Sequence, residues 1–189
     1  LYVLRKRTVK KMYESELERI VDAARGAGRI ILSAADGEKA KSVTEKEGSA
    51  NFVTEYDKRT QEYLFDNLGK IFPDAVFIGE EDEGEHRHVF ESGLSFIIDP
   101  IDGTMNFVHG FNHSCISVAY MSAGELRAAA VYNPYVDEMF TAVKGEGAYL
   151  NGRRLHVSEA PLSESVVCLG TSPYCAELRD DTFRLARLA

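Results

Sequence analysis

Apolar positions recur at helical spacing in YESELERIVDAARGAGRIILSAA, residues 13–35, where Leu17, Ile20, Val21, Ala24, Ala27 and Ile31 fall near one stripe. This predicts an amphipathic helix, with Ser15 and Glu18 forming a capping box at its start. The polar run DGEKAKSVTEKEGSAN, residues 36–51, interrupts the pattern and predicts a loop. A second helix is predicted from Thr54, carrying Tyr56, Leu64, Leu68 and Ile71 inward, with Pro73 just beyond its end.

The period then changes. AVFIG and LSFII are short apolar runs of strand type, and SCISVAYMS and LRAAAVYN flank AGE as a hairpin. EMFTAV follows, and AYLNGRRLHV reads as two strands divided by the turn signal Asn151-Gly152. SVVCLGT predicts one more strand. The segment AELRDDTFRLARLA regains helical periodicity through Leu178, Phe183, Leu185 and Leu188. Helices, then mainly antiparallel strands, then a helix predict an α+β layered architecture.

Composition narrows the function classes. The chain has 189 residues, 44% hydrophobic and 28% charged, as a water-soluble globular domain has. No apolar run has the length of a membrane span. The basic start LYVLRKRTVKKM has no continuous apolar segment or small-residue cleavage site, and is set apart as an N-terminal extension, residues 1–12. A net charge of −8 argues against nucleic acid as a partner. Cys115, Cys168 and Cys175 are odd in number and lack metal-ligand spacing, which predicts reduced thiols and a cytoplasmic location.

Chemistry concentrates at three acidic points. TEYD places Asp57 three residues after Thr54; IGEEDEGE places Glu80 and Glu81 right after an apolar strand; IIDPIDGT places Asp99 and Asp102 after another. Taken singly, each has a plain reading: Asp57 closes a capping box, Glu80 belongs to a solvated acidic run, and Asp, Pro and Gly make turns. Neighbouring strands ending in carboxylates would gather them at one sheet edge. At roughly 4 Å and an effective dielectric near 20, each such pair costs about 4 kcal/mol. A hard divalent cation removes that repulsion, and Mg²⁺ takes oxygen ligands while keeping water and phosphate in its shell. Gly103 lets backbone N–H groups approach an anion, Thr104 adds a hydroxyl, and a helix opened by GTMNF would favour phosphate at its N-terminus.

DPIDGTMNF, preceded by IGEED and NFVTEYD and followed by VYNPYVDEMFTAVKGEGAYLNGRRLHVS, resembles the inositol monophosphatase family of Mg²⁺-dependent, lithium-sensitive phosphatases. The resemblance runs from the first helix to Ala189. It implies the layered αβαβα phosphatase sandwich, with residues 13–189 as its N-terminal portion and the family's C-terminal portion absent from this chain. It implies hydrolysis of a small phosphate monoester, two or three Mg²⁺ ions per complete site, and a homodimer. Residue by residue, Glu80 would bind metal and position the attacking water. Asp99 would bridge two metals, Asp102 would ligate the second, and Ile101 would offer its carbonyl to the first. Thr104 would orient the water with Asp57 hydrogen-bonded behind it, and Gly103 and Thr104 would offer amides to phosphate. Lys46 stands on the loop where the family often carries a lysine; lying with Lys41 on a polar stretch, it also reads as a surface residue.

Two departures accompany the resemblance. Met105 stands where many members have a second threonine, and the chain has no tryptophan, so the family's W-D motif and its aspartate are missing. These 189 residues alone are therefore expected to bind Mg²⁺ weakly and to release phosphate slowly. Other readings stay open. IDGT echoes the D-x-D-G-T of haloacid dehalogenase-like phosphatases, but Pro100 occupies the position two residues before Asp102. The alternatives are a non-catalytic binding or regulatory role on the same fold, or action on a sugar or nucleotide phosphate. His86 and His88 carry no further ligand spacing and read as loop histidines, while His109 and His113 follow the motif and either line the site or cap structure.

Overall fold

A computed structural model describes residues 2–34, 43–45, 52–82, 93–166, 168, 180–181 and 183–184. Helix α1 spans Tyr2–Leu32 and helix α2 spans Glu55–Ile71, with the short antiparallel pair β1 (Val43–Glu45) and β2 (Phe52–Thr54) between them. After these come β3 (Val76–Gly79), β4 (Leu94–Asp102), α3 (Thr104–Val108), β5 (Cys115–Ser122), β6 (Glu125–Asn133), β7 (Glu138–Val143), β8 (Gly147–Leu150) and β9 (Arg153–Arg154). Strands β3 to β9 form one seven-stranded sheet in sequence order. Its β3–β4 pair is parallel and every other pair is antiparallel. This is an α+β layered fold.

The predicted helical stripe forms the inner face of α1: Ile20, Ala24, Ala27 and Ile31 are fully buried. They meet α2 through Leu64 and Leu68, and meet the sheet through Val118, Tyr120, Ala130 and Tyr132. Complete burial of one such aliphatic side chain stabilises by about 2 kcal/mol. Gly26 permits the approach of the two helices, because a Cβ there would lie 2.0 Å from the Tyr63 hydroxyl. Phe96 on β4 stacks with Phe77 at 5.2 Å and meets Phe72 at 5.1 Å and Tyr120 at 5.2 Å, closing the core at the β3–β4 end.

Besides strand β1, which forms inside the predicted loop 36–51, four expectations change. Helix α1 does not start at a Ser15–Glu18 box; it runs from Tyr2, and Ser15 lies inside it where backbone bonds already satisfy the amides. The basic stretch before it holds neither glycine nor proline to stop the helix. Ile71 is not a core residue but 45% exposed. The helix ends there, Phe72 N donates to Leu68 O, and the Phe72 ring turns into the core instead. Residues 165, 166 and 168 of SVVCLGT are not strand. Ser165 is bound back to a short 3₁₀ turn at Leu162–Glu164, and Val166 is exposed. The rest of that run, and most of the expected final helix, lie outside the described residues, although 180–181 and 183–184 are helical.

The fourth change bears on the site. The acidic turn is not beyond β4 but within it. Asp99 stands opposite Ser117 and Asp102 opposite Cys115, so three steps on β4 match two on β5. The extra residue is a β-bulge at Pro100-Ile101, where proline has no N–H for the ladder. In a regular strand, residues three apart point to opposite faces. The bulge cancels that alternation and brings Asp99 and Asp102 to one face, while Pro100 and Ile101 stay buried.

Candidate active site

Parallel pairing of β3 with β4 puts the C-terminal ends of both strands at the same edge. Gly79 pairs with Ile98, and Glu80 N donates to Ile98 O at 3.0 Å, which sets Glu80 beside Asp99. The Asp99 carboxyl is pushed up to about 8, first by burial, then by the Glu80 charge and a hydrogen bond with Glu80, then by the Asp102 charge. Ile101 N donates to Asp99 Oδ1 at 3.1 Å and opposes this only in part.

The donors here are all hard oxygens: the carboxylates of Glu80, Asp99 and Asp102, with the Ile101 carbonyl beside them. Among the described residues, no three carboxylate, imidazole or thiol groups stand in a finished coordination array. Glu80 and Asp99 instead hydrogen-bond to one another. A half-buried Asp99 whose ionisation is disfavoured by burial and by the neighbouring Glu80 and Asp102 charges suits a hard divalent cation, which would favour its charged form. The Cys115 thiol lies 3.8 Å from Asp102 Oδ2 and is pushed up to about 11 by burial and then by the charges of Asp102 and Asp99. A thiol so held stays protonated and does not compete as a soft ligand.

Thr54 and Asp57 form the expected capping box at the start of α2. Asp57 Oδ2 accepts from Thr54 N at 2.8 Å and from Thr54 Oγ1 at 2.5 Å. The other oxygen, Oδ1, accepts from Thr104 Oγ1 at 3.2 Å across a gap of 47 residues. Asp57 therefore holds both roles, cap and partner of Thr104. Burial raises its pKa, and the Thr54 and Thr104 bonds act against that rise. Thr104 Oγ1 also lies 3.1 Å from Ile101 O. One hydroxyl hydrogen serves two acceptors, and the lone pairs stay free to receive a donor.

Gly103 precedes α3 with φ +92°, a left-handed conformation, and makes no side-chain capping bond. A Cβ there would sit 3.1 Å from His113 O. Helix α3 is fastened by Asn106 Nδ2 donating to His113 O at 2.7 Å and by Phe107 packing on Tyr56 at 5.5 Å. A cleft of 430 Å³ opens beside Asp102, lined by Gly103, Asn106, His113, Cys115 and Phe140 among others. Another cleft, of 390 Å³, lies against Arg127, Ala129 and Lys144, away from the carboxylates.

Glu80, Asp99, Ile101, Asp102, Gly103, Thr104 and Asp57 thus come together from four elements. Lys46 lies outside the described residues, as do His86 and His88. His109 and His113 are exposed beside α3. Sequence reading does not single out Gln61, Asp82 or Cys115, which border the same group. One signal for Gln61 was present: it stands four residues after Asp57, one helical turn along the same face.

Comparison with known proteins gives the family of the chain. The model of the inositol monophosphatase family matches residues 12–186. Inositol monophosphatase 2 of Solanum lycopersicum is 38% identical over 173 residues, covering 89% of this chain and 64% of that protein. The Nus factor SuhB of Salmonella typhimurium is 36% identical over 163 residues, covering 86% of this chain and 60% of its own length. The solved IMPase of Thermotoga maritima superposes with a TM-score of 0.68 at 35% identity, covering 77% of this chain and 54% of its own. The chain spans about half to two thirds of the length of such relatives. With one family model matching nearly its whole length, the chain belongs to the inositol monophosphatase family.

Proposed function

We propose that this chain carries the metal and phosphate site of a Mg²⁺-dependent phosphatase acting on a small phosphate monoester of the inositol monophosphate kind. The observation that carries this reading is the convergence of Glu80, Asp99 and Asp102 at one sheet edge, where burial first and the neighbouring carboxylates second push Asp99 up to about 8. Glu80, Asp99, Asp102 and the Ile101 carbonyl would hold the cations; Ile101 O would exchange its Thr104 contact for that role. Bound Mg²⁺ supplies charge neutralisation of the phosphate and a lowered pKa for the attacking water.

This chain's own residues supply the orientation. Asp57 draws the Thr104 hydroxyl hydrogen toward itself and turns the oxygen lone pairs toward the reacting space. Thr104 then accepts a hydrogen bond from the attacking water, and Glu80 accepts its proton. The amides of Gly103 and Thr104 stand at the open start of α3, where they would receive phosphate oxygens. The departing alcohol would lie toward the cleft beside Asp102. Phosphoryl transfer needs positioning and charge neutralisation more than covalent help, and this set provides both.

Lithium sensitivity, dimerisation and a cytoplasmic location belong to this proposal through the family; among the described residues no helix is long and apolar enough to cross a membrane. Similarity to a relative named Nus factor SuhB favours a second reading, a binding or regulatory role on the same fold. Phosphate release from inositol, sugar and nucleotide monophosphates by the intact protein, titrated with Mg²⁺, separates the two. Asp99→Asn keeps the shape and removes a charge, so it should abolish most Mg²⁺-dependent release without unfolding the protein, as a cooperative thermal melt would show. An unaltered rate would refute the metal-ligand role of Asp99.

A further inference from the structure

The Glu80 turn is held by a side chain that the chemistry above does not use. Gln61 is 8% exposed on α2. Its Nε2 donates to Asp82 Oδ1 at 3.0 Å, and its Oε1 accepts from Glu81 N at 3.1 Å. Asp82 Oδ2 in turn accepts from Gly79 N at 2.7 Å. The residues on either side of Glu80 are therefore both tied, Gly79 through Asp82 and Glu81 directly. Glu80 N itself is fixed to Ile98 O on β4.

A primary amide suits this place. It must donate to a carboxylate on one side and accept from a backbone N–H on the other. A carboxylate at 61 would face Asp82, and a lysine would offer Glu81 N no acceptor. The amide also lies directly over Gly79, where a Cβ would fall 2.0 Å from Gln61 Oε1. That contact accounts for the glycine of IGEED without any special backbone angle.

Asp57 and Gln61 stand one turn apart on α2. Asp57 holds Thr104 and Gln61 holds the turn bearing Glu80. One rigid helical turn therefore spaces the hydroxyl that orients water from the carboxylate that receives its proton. We propose that Gln61 is a positioning residue that aims Glu80 at the cation site through the Gly79–Asp82 turn. The inference rests on the reading of Glu80 as a metal ligand.

The test is a double-mutant cycle in the intact protein, read by calorimetric titration with Mg²⁺ alone and no substrate. Gln61→Met keeps length and burial but removes both hydrogen bonds. It should weaken Mg²⁺ binding roughly 10-fold, as loss of an outer partner of a metal ligand does. In a Glu80→Gln background the same substitution should change Mg²⁺ affinity by less than about twofold, because the ligand it aims is already impaired. Equal weakening in both backgrounds would overturn the proposal, since Gln61 would then act by some route other than Glu80. Wild-type Mg²⁺ affinity in Glu80→Gln itself would instead overturn the ligand reading and the proposal with it, and the single variant reveals that case. Should Gln61→Met fail to fold, Gly79→Ala displaces the same amide while leaving it present. It should reproduce the roughly 10-fold loss, and unchanged Mg²⁺ affinity in that folded variant would equally refute the proposal.

Discussion

Asp57→Asn should separate the fold from the chemistry. The asparagine keeps its bonds to Thr54 by pointing its carbonyl oxygen where Thr54 N donates at 2.8 Å and Thr54 Oγ1 at 2.5 Å. Its NH₂ then falls where the carboxylate met Thr104 Oγ1 at 3.2 Å. Two donors cannot face one another, so Thr104 turns its hydrogen to Ile101 O, 3.1 Å away, and accepts from the amide. Every polar atom stays paired, but the direction at Thr104 is reversed. The two Thr54 bonds change from charge-assisted to neutral, about 1 kcal/mol each. Loss of a negative charge in the first turn of α2 adds about 0.5 kcal/mol. Relief from burial, which outweighs these bonds in raising the Asp57 pKa, offsets most of this. A net loss of about 1 kcal/mol lowers Tm by roughly 2–4 °C for a domain of this size.

The rate should respond far more. The amide now occupies one Thr104 lone pair and rotates the hydroxyl, so the remaining lone pair is no longer aimed as before, and the Ile101 carbonyl takes the whole of a hydroxyl hydrogen it had shared with Asp57, which competes with a cation. Removal of one preorganised group of this kind costs roughly 10²–10³ in kcat. Thermal melts and phosphate release at saturating Mg²⁺, both on the intact protein, give the two numbers. A rate within about fivefold of wild type, equivalent to roughly 1 kcal/mol, would refute the argument that the direction of the Thr104 bond matters. A fall in Tm beyond about 10 °C would refute the claim that the asparagine leaves every polar atom paired.

Thr104→Ala should lower kcat by roughly 10²-fold with Mg²⁺ affinity nearly intact, and Thr104→Ser should recover most of the rate; a phosphothreonine intermediate would rule out direct attack by water. Asp99 sits at about 8 in the folded chain against about 3.9 when unfolded, so between those values the folded form holds a proton that the unfolded form has lost. Stability without Mg²⁺ should therefore fall as pH rises through that window, and the fall should flatten in excess Mg²⁺ or in Asp99→Asn; Tm profiles with the same slope in all three conditions would contradict this. Gly103→Ala, at φ +92° with a Cβ 3.1 Å from His113 O, should destabilise by about 1–2 kcal/mol in chemical denaturation, and an unchanged midpoint would show that the loop relaxes freely.

Much of the site was legible because strong local signals coincide with it. The capping box of Thr54 and Asp57 and the carboxylates near the ends of apolar runs are both short-range patterns; the box and Glu80 lie where the pattern puts them, while Asp99 and Asp102 lie within β4 and not beyond it. The helical stripe from Leu17 to Ile31 likewise names its buried positions. What the sequence did not convey is set by pairing between distant segments. Parallel alignment of β3 and β4, which joins Glu80 to Asp99, has no local signature. Gln61 looks like any helical surface residue until the Glu81 amide and the Asp82 carboxylate arrive beside it. Ile71 carries the right periodicity but sits where its helix ends, and Phe72 takes the place it would have filled. The start of α1 was misplaced because Ser15 and Glu18 match a capping box that a longer helix overrides.

The bulge at Pro100-Ile101 acts as a parity switch for the whole strand. With it, carboxylates three residues apart share a face; without it, that face would be reached by carboxylates two apart. The spacing D-P-I-D is thus tied to the irregularity between its two aspartates. Deleting Pro100 or Ile101 would leave both acids in the sequence, yet the chain could keep them on one face only by losing the bulge with the deleted residue. Substituting Pro100 by a residue that pairs in the ladder would do the reverse: the length is kept, the extra step vanishes, and Asp102 turns toward the helices. Point changes that alter no charge can therefore remove half of an acidic site.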